Sequence, residues 1–393
     1  MIVTEPLSAT HKQICSKCIY DERVGGINFD ESGECNYCKQ IDALTLDYGT
    51  GTQKGNEKFH KILAQIKKDG RNKKYDCIIG VSGGTDSSFM LHLTKKWGLR
   101  PLAVHYDNTW NSAISTENIR KVLSKLDIDL YTHVVDNQEV DDIFKSFFLA
   151  DVLEIDASTD LALAEVMYRA AWKYKVKYVL EGHSFLTEGI SPISKNYFDG
   201  KYIRSVHKIF GQKKMKTYPL MTISRFLFWT IFAKIQKIRP LWYIDYNKED
   251  AREFLEKTYD WQYYGGHHLE NRMSAYAHSV YLPSKFNTDM RNNTLSALVR
   301  SGRMTRKLAL EEYDKPPIIE KGLVEYFKKR LKLSSEEYEL IMDRKARSWI
   351  EFPTYKKTFE LLRPMFKILA ANNLVPMSFY IKYCYPIKKS SPK

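Results

Sequence analysis

Residues 75–81, Tyr-Asp-Cys-Ile-Ile-Gly-Val, form a short apolar run, followed by small polar residues and the amphipathic stretch 89–97. An apolar run bounded by Gly and Ser reads as a buried strand, and the stretch after it as a helix. The alternation continues. Residues 100–106 read as a strand, 114–126 as a helix and 130–135 as a strand. A helical region follows, then a helix over about 160–174 and a strand over 177–181. Strands alternating with helices predict an α/β fold with a doubly wound parallel sheet. Ligands bind such sheets at the carboxyl ends of the strands. The clusters 82–88, 107–111 and 181–184 should therefore meet around one ligand. Residues 226–238 read as a buried helix with a basic end, and patterns at 324–333 and 335–347 predict a helical C-terminal region.

The length of 393 residues suggests two or three domains. The sequence divides into a cysteine module (1–50), an α/β domain (51–215), a substrate-binding region (216–315) and the helical region (316–393). With 44% hydrophobic and 27% charged residues, the chain is not wholly disordered. A formal charge of +14 points to anionic partners. The strongest apolar run, 226–233, is too short for a membrane span, which needs roughly 20 residues. Met1-Ile-Val-Thr-Glu-Pro6 lacks a signal-peptide pattern. A cytoplasmic location is expected, with cysteines as thiols or metal ligands.

Four of the six cysteines form one pattern: Cys15-x-x-Cys18, sixteen intervening residues, then Cys35-x-x-Cys38. This is a zinc spacing, in which two knuckles complete a tetrahedron of thiolates. Four sulfurs leave no open position for water, so a structural Zn²⁺ is expected, with 29–33 turning a small β-ribbon. Cys77 lies in an apolar run and Cys384 in a basic aromatic tail, neither the setting of an activated nucleophile.

The sharpest motif is Ser82-Gly-Gly-Thr-Asp86-Ser87-Ser88 between the first strand and its helix. Gly83 and Gly84 let the backbone N–H groups turn inward, Ser82, Ser87 and Ser88 add hydroxyls, and the helix N-terminus adds partial positive charge. Together they suit a diphosphate. The lysine of a Walker A loop is missing. Asp86 in such a cradle makes sense if it holds Mg²⁺. The motif resembles the PP-loop of ATP pyrophosphatases, enzymes that split ATP into AMP and pyrophosphate.

The cysteine module, this loop and later motifs together resemble the N-acetyl sugar amidotransferases. That group includes the enzymes for pseudaminic and legionaminic acids and for lipopolysaccharide O-antigen sugars. The later motifs are Glu188-Gly189 with Pro192, 199–202, His207 with Gly211, 261–268, Glu270, 281–286, Asp289, Arg291 and 301–306. The chain departs from the family pattern at His267, Leu269, Met290 and Asn292-Asn293. The resemblance implies a PP-loop ATP pyrophosphatase fold with a zinc-ribbon module. It also implies a reaction in which ATP adenylates the acetamido group of a sugar and ammonia replaces its oxygen. The chain has no evident glutaminase, so a separate glutamine amidotransferase subunit is expected to supply ammonia.

On this reading Asp86 binds Mg²⁺ and pyrophosphate, and Asp107, Asn108 and Gly182 join the loop in binding ATP. His183 contacts phosphate or polarises the amide, and Glu188 orients ammonia or takes its proton. Tyr264, His268 and Glu270 are expected at the sugar, with Arg291 and Arg306 pairing anionic groups and Arg303 a further candidate. A hydrogen-bonded loop residue or a solvated charge is the plain alternative for several of these. The basic runs 208–216 and 382–393 read as solvated charge, with nucleic-acid or membrane-surface contact as alternatives. The competing function is tRNA modification. Thiolation needs a persulfide cysteine or an iron–sulfur cluster near the ATP, and with four cysteines assigned to zinc only Cys77 and Cys384 remain, which disfavours it, whereas lysidine-type ligation needs no thiol. Nucleic acid is therefore not the expected partner.

Overall fold

The computed structural model describes residues 13–190, 196–266, 269–372, 374–375 and 377–386. Its five strands, all parallel, are β1 (Cys77–Gly80), β2 (Pro101–Asp107), β3 (Leu130–Val134), β4 (Tyr178–Leu180) and β5 (Gln236–Ile238). Their order is β3-β2-β1-β4-β5. The winding direction reverses between β1 and β4, and that reversal places a ligand crevice at their carboxyl ends. The expected doubly wound parallel sheet is present. Its fifth strand lies past residue 215, so the sheet draws on the segment beyond it.

Ile78, Val104 and Val179 pack with Val140 and Val166 on one face, and Cys77, Ile79 and Leu180 pack with Phe59, Met90 and Val122 on the other. Burial on both faces explains why β1 reads as a continuous apolar run.

Helices α1 (Asn36–Tyr48) and α2 (Gln53–Gly70) precede the sheet. Within it run α3 (Thr85–Lys96), α4 (Ala113–Leu126), α5 (Asn137–Leu149) and α6 (Ala157–Lys173). After β4 come α7 (Phe185–Glu188), α8 (Gly200–Phe210) and α9 (Ile223–Leu227). Beyond β5 lie α10 (Lys248–Tyr259), α11 (Arg272–Tyr276), α12 (Leu282–Phe286), α13 (Arg291–Arg300) and α14 (Arg306–Asp314). The helical C-terminal region is built of α15 (Leu323–Leu331), α16 (Ser335–Asp343), α17 (Lys356–Leu361), α18 (Arg363–Ala371) and α19 (Met377–Cys384).

Two expectations need correction. Residues 226–238 are not one buried helix. A π-helical turn, Phe228–Phe232, follows α9, and Lys234, at φ 51°, ends it before the chain enters β5. Phe228 and Phe232 face outward. The β-ribbon of the cysteine module is reduced to two isolated antiparallel bridges, Ile14–Asp21 and Phe29–Cys35, because the second knuckle runs straight into α1.

Candidate active site

A cavity of about 340 Å³ opens at the carboxyl ends of β1 and β4, where the winding direction reverses. Ser82, Gly84, Asp86 and Ser87 form one wall, and Gly182, His183 and Glu188 the next. The loop is shaped from behind. The Gly83 carbonyl accepts Trp261 Nε1–H at 3.0 Å and Asn118 Nδ2–H at 3.3 Å. Gly83 has φ +80°, and a Cβ there would stand 2.1 Å from the Ser115 carbonyl oxygen, so only glycine fits. Gly84 caps α3 without a side-chain hydrogen bond, which leaves the cap to backbone N–H groups.

Charge in the cavity is organised around Lys248. Its ammonium lies 2.6 Å from Asp86 Oδ2 and 3.3 Å from Glu188 Oε1, and Tyr246 donates its hydroxyl to Asp86 Oδ1 at 2.6 Å. Burial raises the Asp86 carboxyl above its ordinary range, with Glu188 adding to the rise and Lys248 opposing it. Burial would lower the Lys248 ammonium, but Asp86 and Glu188 outweigh it and hold the group charged.

His183 is neutral. Burial, reinforced by the positive charge of Arg239, lowers its pKa to about 4. Trp242 Nε1–H donates to Nδ1 at 3.1 Å, so the ring proton is on Nε2, which lies 3.9 Å from Glu188 Oε2.

Of the residues expected from sequence, the cavity gathers Ser82, Gly84, Asp86, Ser87, Gly182, His183, Glu188, Tyr264 and Glu270. Others are spent elsewhere. Ser88 is buried in α3. Asp107 accepts from Thr109 N–H and Asn111 Nδ2, and buried Asn108 accepts from Trp110 N–H and Asn271 Nδ2, so both serve the turn after β2. Arg291 pairs with Asp289 at 2.6 Å and donates to the carbonyls of residues 312, 313 and 315. Arg303 pairs with Asp245. Arg306 donates to the carbonyls of Cys15 and Cys18. These contacts occupy the guanidinium groups for which an anion-binding role is expected, and none of the three lines the cavity. His267 and His268 lie outside the described residues, as do Pro192 and the tail beyond 386.

The sequence reading missed Tyr246, Lys248, His278, Asn293 and Thr294. One signal was available for Lys248. A lysine at the first position of a helix, after the N-cap Asn247, opposes the helix dipole and therefore needs another reason to be there.

The four knuckle cysteines are fully buried, and their sulfurs all lie within 4.8 Å of one another. The pairs Cys35–Cys38, Cys15–Cys38 and Cys18–Cys35 are 3.5, 3.8 and 3.9 Å apart. A tetrahedron with Zn–S bonds of about 2.3 Å has edges of about 3.8 Å, so the cluster fits a metal such as zinc. Arg300 donates to Cys38 Sγ at 3.2 Å and Cys18 Sγ at 3.1 Å, stacked over Tyr20. Tyr20 in turn donates to Asn293 Oδ1 at 2.7 Å, and Ser296 accepts the Ile19 N–H at 3.3 Å. Helix α13 thus stands between the knuckle and the cavity, and Asn293 touches both.

Residues 270–365 match the family described as "LPS biosynthesis protein WbpG-like, C-terminal domain". An uncharacterized protein of Methanocaldococcus jannaschii, MJ1599, is 30% identical over 176 residues. That alignment covers 43% of this chain and 58% of the relative. Among solved structures, the NMN synthetase of Francisella tularensis aligns over 72% of this chain and 95% of its own, at 15% identity and a TM-score of 0.31. The NH3-dependent NAD synthetase of Campylobacter jejuni aligns over 38% and 70%, at 14% identity and 0.27. The U34-tRNA thiolase NcsA of Methanococcus maripaludis aligns over 76% and 88%, at 14% identity and 0.30. At such scores the fold rests on the sheet itself. The family match falls on the segment that brings Glu270, Asn293 and Thr294 to the cavity and Arg300 and Arg306 to the knuckle, so this part of the chain carries the likeness to lipopolysaccharide biosynthesis.

Proposed function

We propose that the protein is an ATP-dependent, AMP-forming amidotransferase of surface-polysaccharide biosynthesis, converting a sugar acetamido group into an acetamidino group. An amide carbon is a poor electrophile and oxide a hopeless leaving group. Attack of the amide oxygen on the α-phosphorus of ATP expels pyrophosphate and leaves an O-adenylyl imidate. Ammonia then adds to the imidate carbon, AMP departs with the C–O bonding pair, and one proton leaves the nitrogen.

Ser82, Gly84, Ser87 and the start of α3 would cradle the pyrophosphate. Asp86 offers the hard oxygen ligands that suit Mg²⁺, which when bound would neutralise charge on the phosphates. Lys248 sits where it can share that work from the protein side. Glu188 would accept the ammonia proton while neutral His183 holds a hydrogen-bonding position beside it. Tyr264, Glu270, Asn293 and Thr294 would face the acceptor sugar. Cys77 and Cys384 are both buried, which favours ammonia from a separate glutaminase subunit.

The observation that carries this reading is the Asp86–Lys248–Glu188 cluster beside a glycine-rich helix N-terminus at the β1–β4 reversal. The test is incubation with ATP, Mg²⁺, ammonium and a panel of free and nucleotide-linked acetamido sugars. AMP should form together with a product lighter by the difference between O and NH, and Asp86→Ala should form neither. An inert panel with AMP release stimulated by tRNA would replace the reading with tRNA modification.

A further inference from the structure

Both oxygens of the Asp86 carboxylate are engaged by the chain itself. Oδ1 accepts the Tyr246 hydroxyl and Oδ2 the Lys248 ammonium, each at 2.6 Å. The same ammonium lies 3.3 Å from Glu188 Oε1, and Glu270 adds a third carboxylate to the field around it. Lys248 and Asp86 keep only 20% and 16% of their side-chain surface exposed, so water screens this contact poorly. A metal ion held by Asp86 therefore has to contend with Lys248 for the carboxylate.

Lys248 is also held against a local preference. It is the first residue of α10, after the N-cap Asn247, where the helix dipole repels a cation. The carboxylates keep it in place, and a stronger anion within reach can draw it away from them. Such an anion has a seat nearby. Ser82, Gly84 and Ser87 line the same cavity as Lys248, and Asp86 lies in the first turn of α3 beside them. Phosphates cradled there come to the ammonium's side of the cavity.

Resting on the ATP-dependent reading, we propose that Lys248 is an exchangeable placeholder: it competes with a divalent cation for the Asp86 carboxylate, and the nucleotide phosphates settle the contest by drawing the ammonium to themselves. A metal ion alone displaces a buried ammonium without supplying it another anion, which is costly. A triphosphate alone meets the carboxylates of Asp86, Glu188 and Glu270. When both arrive, Lys248 turns to the phosphates, and that one movement frees Asp86 for the metal and Glu188 for a proton. The base is thus released only with the nucleotide in place.

The test is titration of the full chain with Mn²⁺ without nucleotide, free ion being read by electron paramagnetic resonance. The unaltered protein should bind weakly. Lys248→Met should bind a single Mn²⁺ about tenfold or more tighter. Lys248→Arg, which keeps the charge, should stay weak, and Asp86→Ala added to Lys248→Met should abolish the gain. Unfolding curves confirm that the variants fold. A folded Lys248→Met with no gain marks a purely structural ion pair and overturns the proposal, as does a gain that survives Asp86→Ala. Calorimetry of the unaltered protein tests it without any variant. Mn²⁺ alone should give no saturable heat at concentrations where ATP with Mn²⁺ saturates the chain, and saturable heat from Mn²⁺ alone would overturn the placeholder while leaving the ATP-dependent reading intact. Heat from neither would remove that reading, and the placeholder with it.

Discussion

Two clusters of chemistry-bearing side chains lie on opposite sides of α13, and they are built on opposite principles. On one side the four sulfurs are buried, receive N–H donors from Lys17, Cys18, Tyr20 and Cys35, and are closed over by Arg300. No position is left for a reactant, which is the design of a structural centre. On the other side two carboxylates share one ammonium at the wall of an open cavity. That arrangement has room for a substrate and a charge balance that a substrate can change. The contrast separates holding from reacting, and Asn293 is where one is connected to the other.

The largest expected effect comes from breaking the open cluster. Lys248→Met leaves Asp86 and Glu188 without their shared cation and should lower AMP formation by about 100-fold or more. The pH sign follows from Asp86. Lys248 lowers that carboxyl against burial, so its removal raises the pKa and the ionised form is lost at higher pH. The acid limb of the pH–rate profile should therefore move to higher pH in the variant. An unmoved limb would separate Asp86 ionisation from the reaction.

Breaking the closed cluster should act on stability before chemistry. Cys35→Ser should abolish the roughly one metal per chain expected by metal analysis and lower the unfolding temperature. A metal-free protein that keeps its stability would remove the structural role. The smallest effect sharpens the link between the two. Tyr20→Phe deletes the hydrogen bond to Asn293, costing about 0.5–1.5 kcal/mol of stability. The Michaelis constant for the acceptor should rise while that for ATP stays unchanged.

The near wall was legible because its chemistry is local. Ser82 to Ser88 follow one strand and start one helix, and the cysteine spacing encloses a single site. The far wall was not. Lys248 and Tyr246 reach Asp86 across more than 150 residues of chain, by way of β5, a three-residue edge strand hidden in what reads as a helix. The partners of the arginines were not legible for a related reason. A guanidinium suits a phosphate, but it equally suits a carboxylate or peptide carbonyls, and Arg291, Arg303 and Arg306 donate to those.

The most direct test of the central claim is calorimetric titration of the unaltered protein with ATP in the presence of Mg²⁺. A cradle at Ser82–Ser88 predicts saturable heat at one nucleotide per chain, displaced by pyrophosphate. Absence of heat, or nucleotide binding that pyrophosphate does not displace, would contradict it.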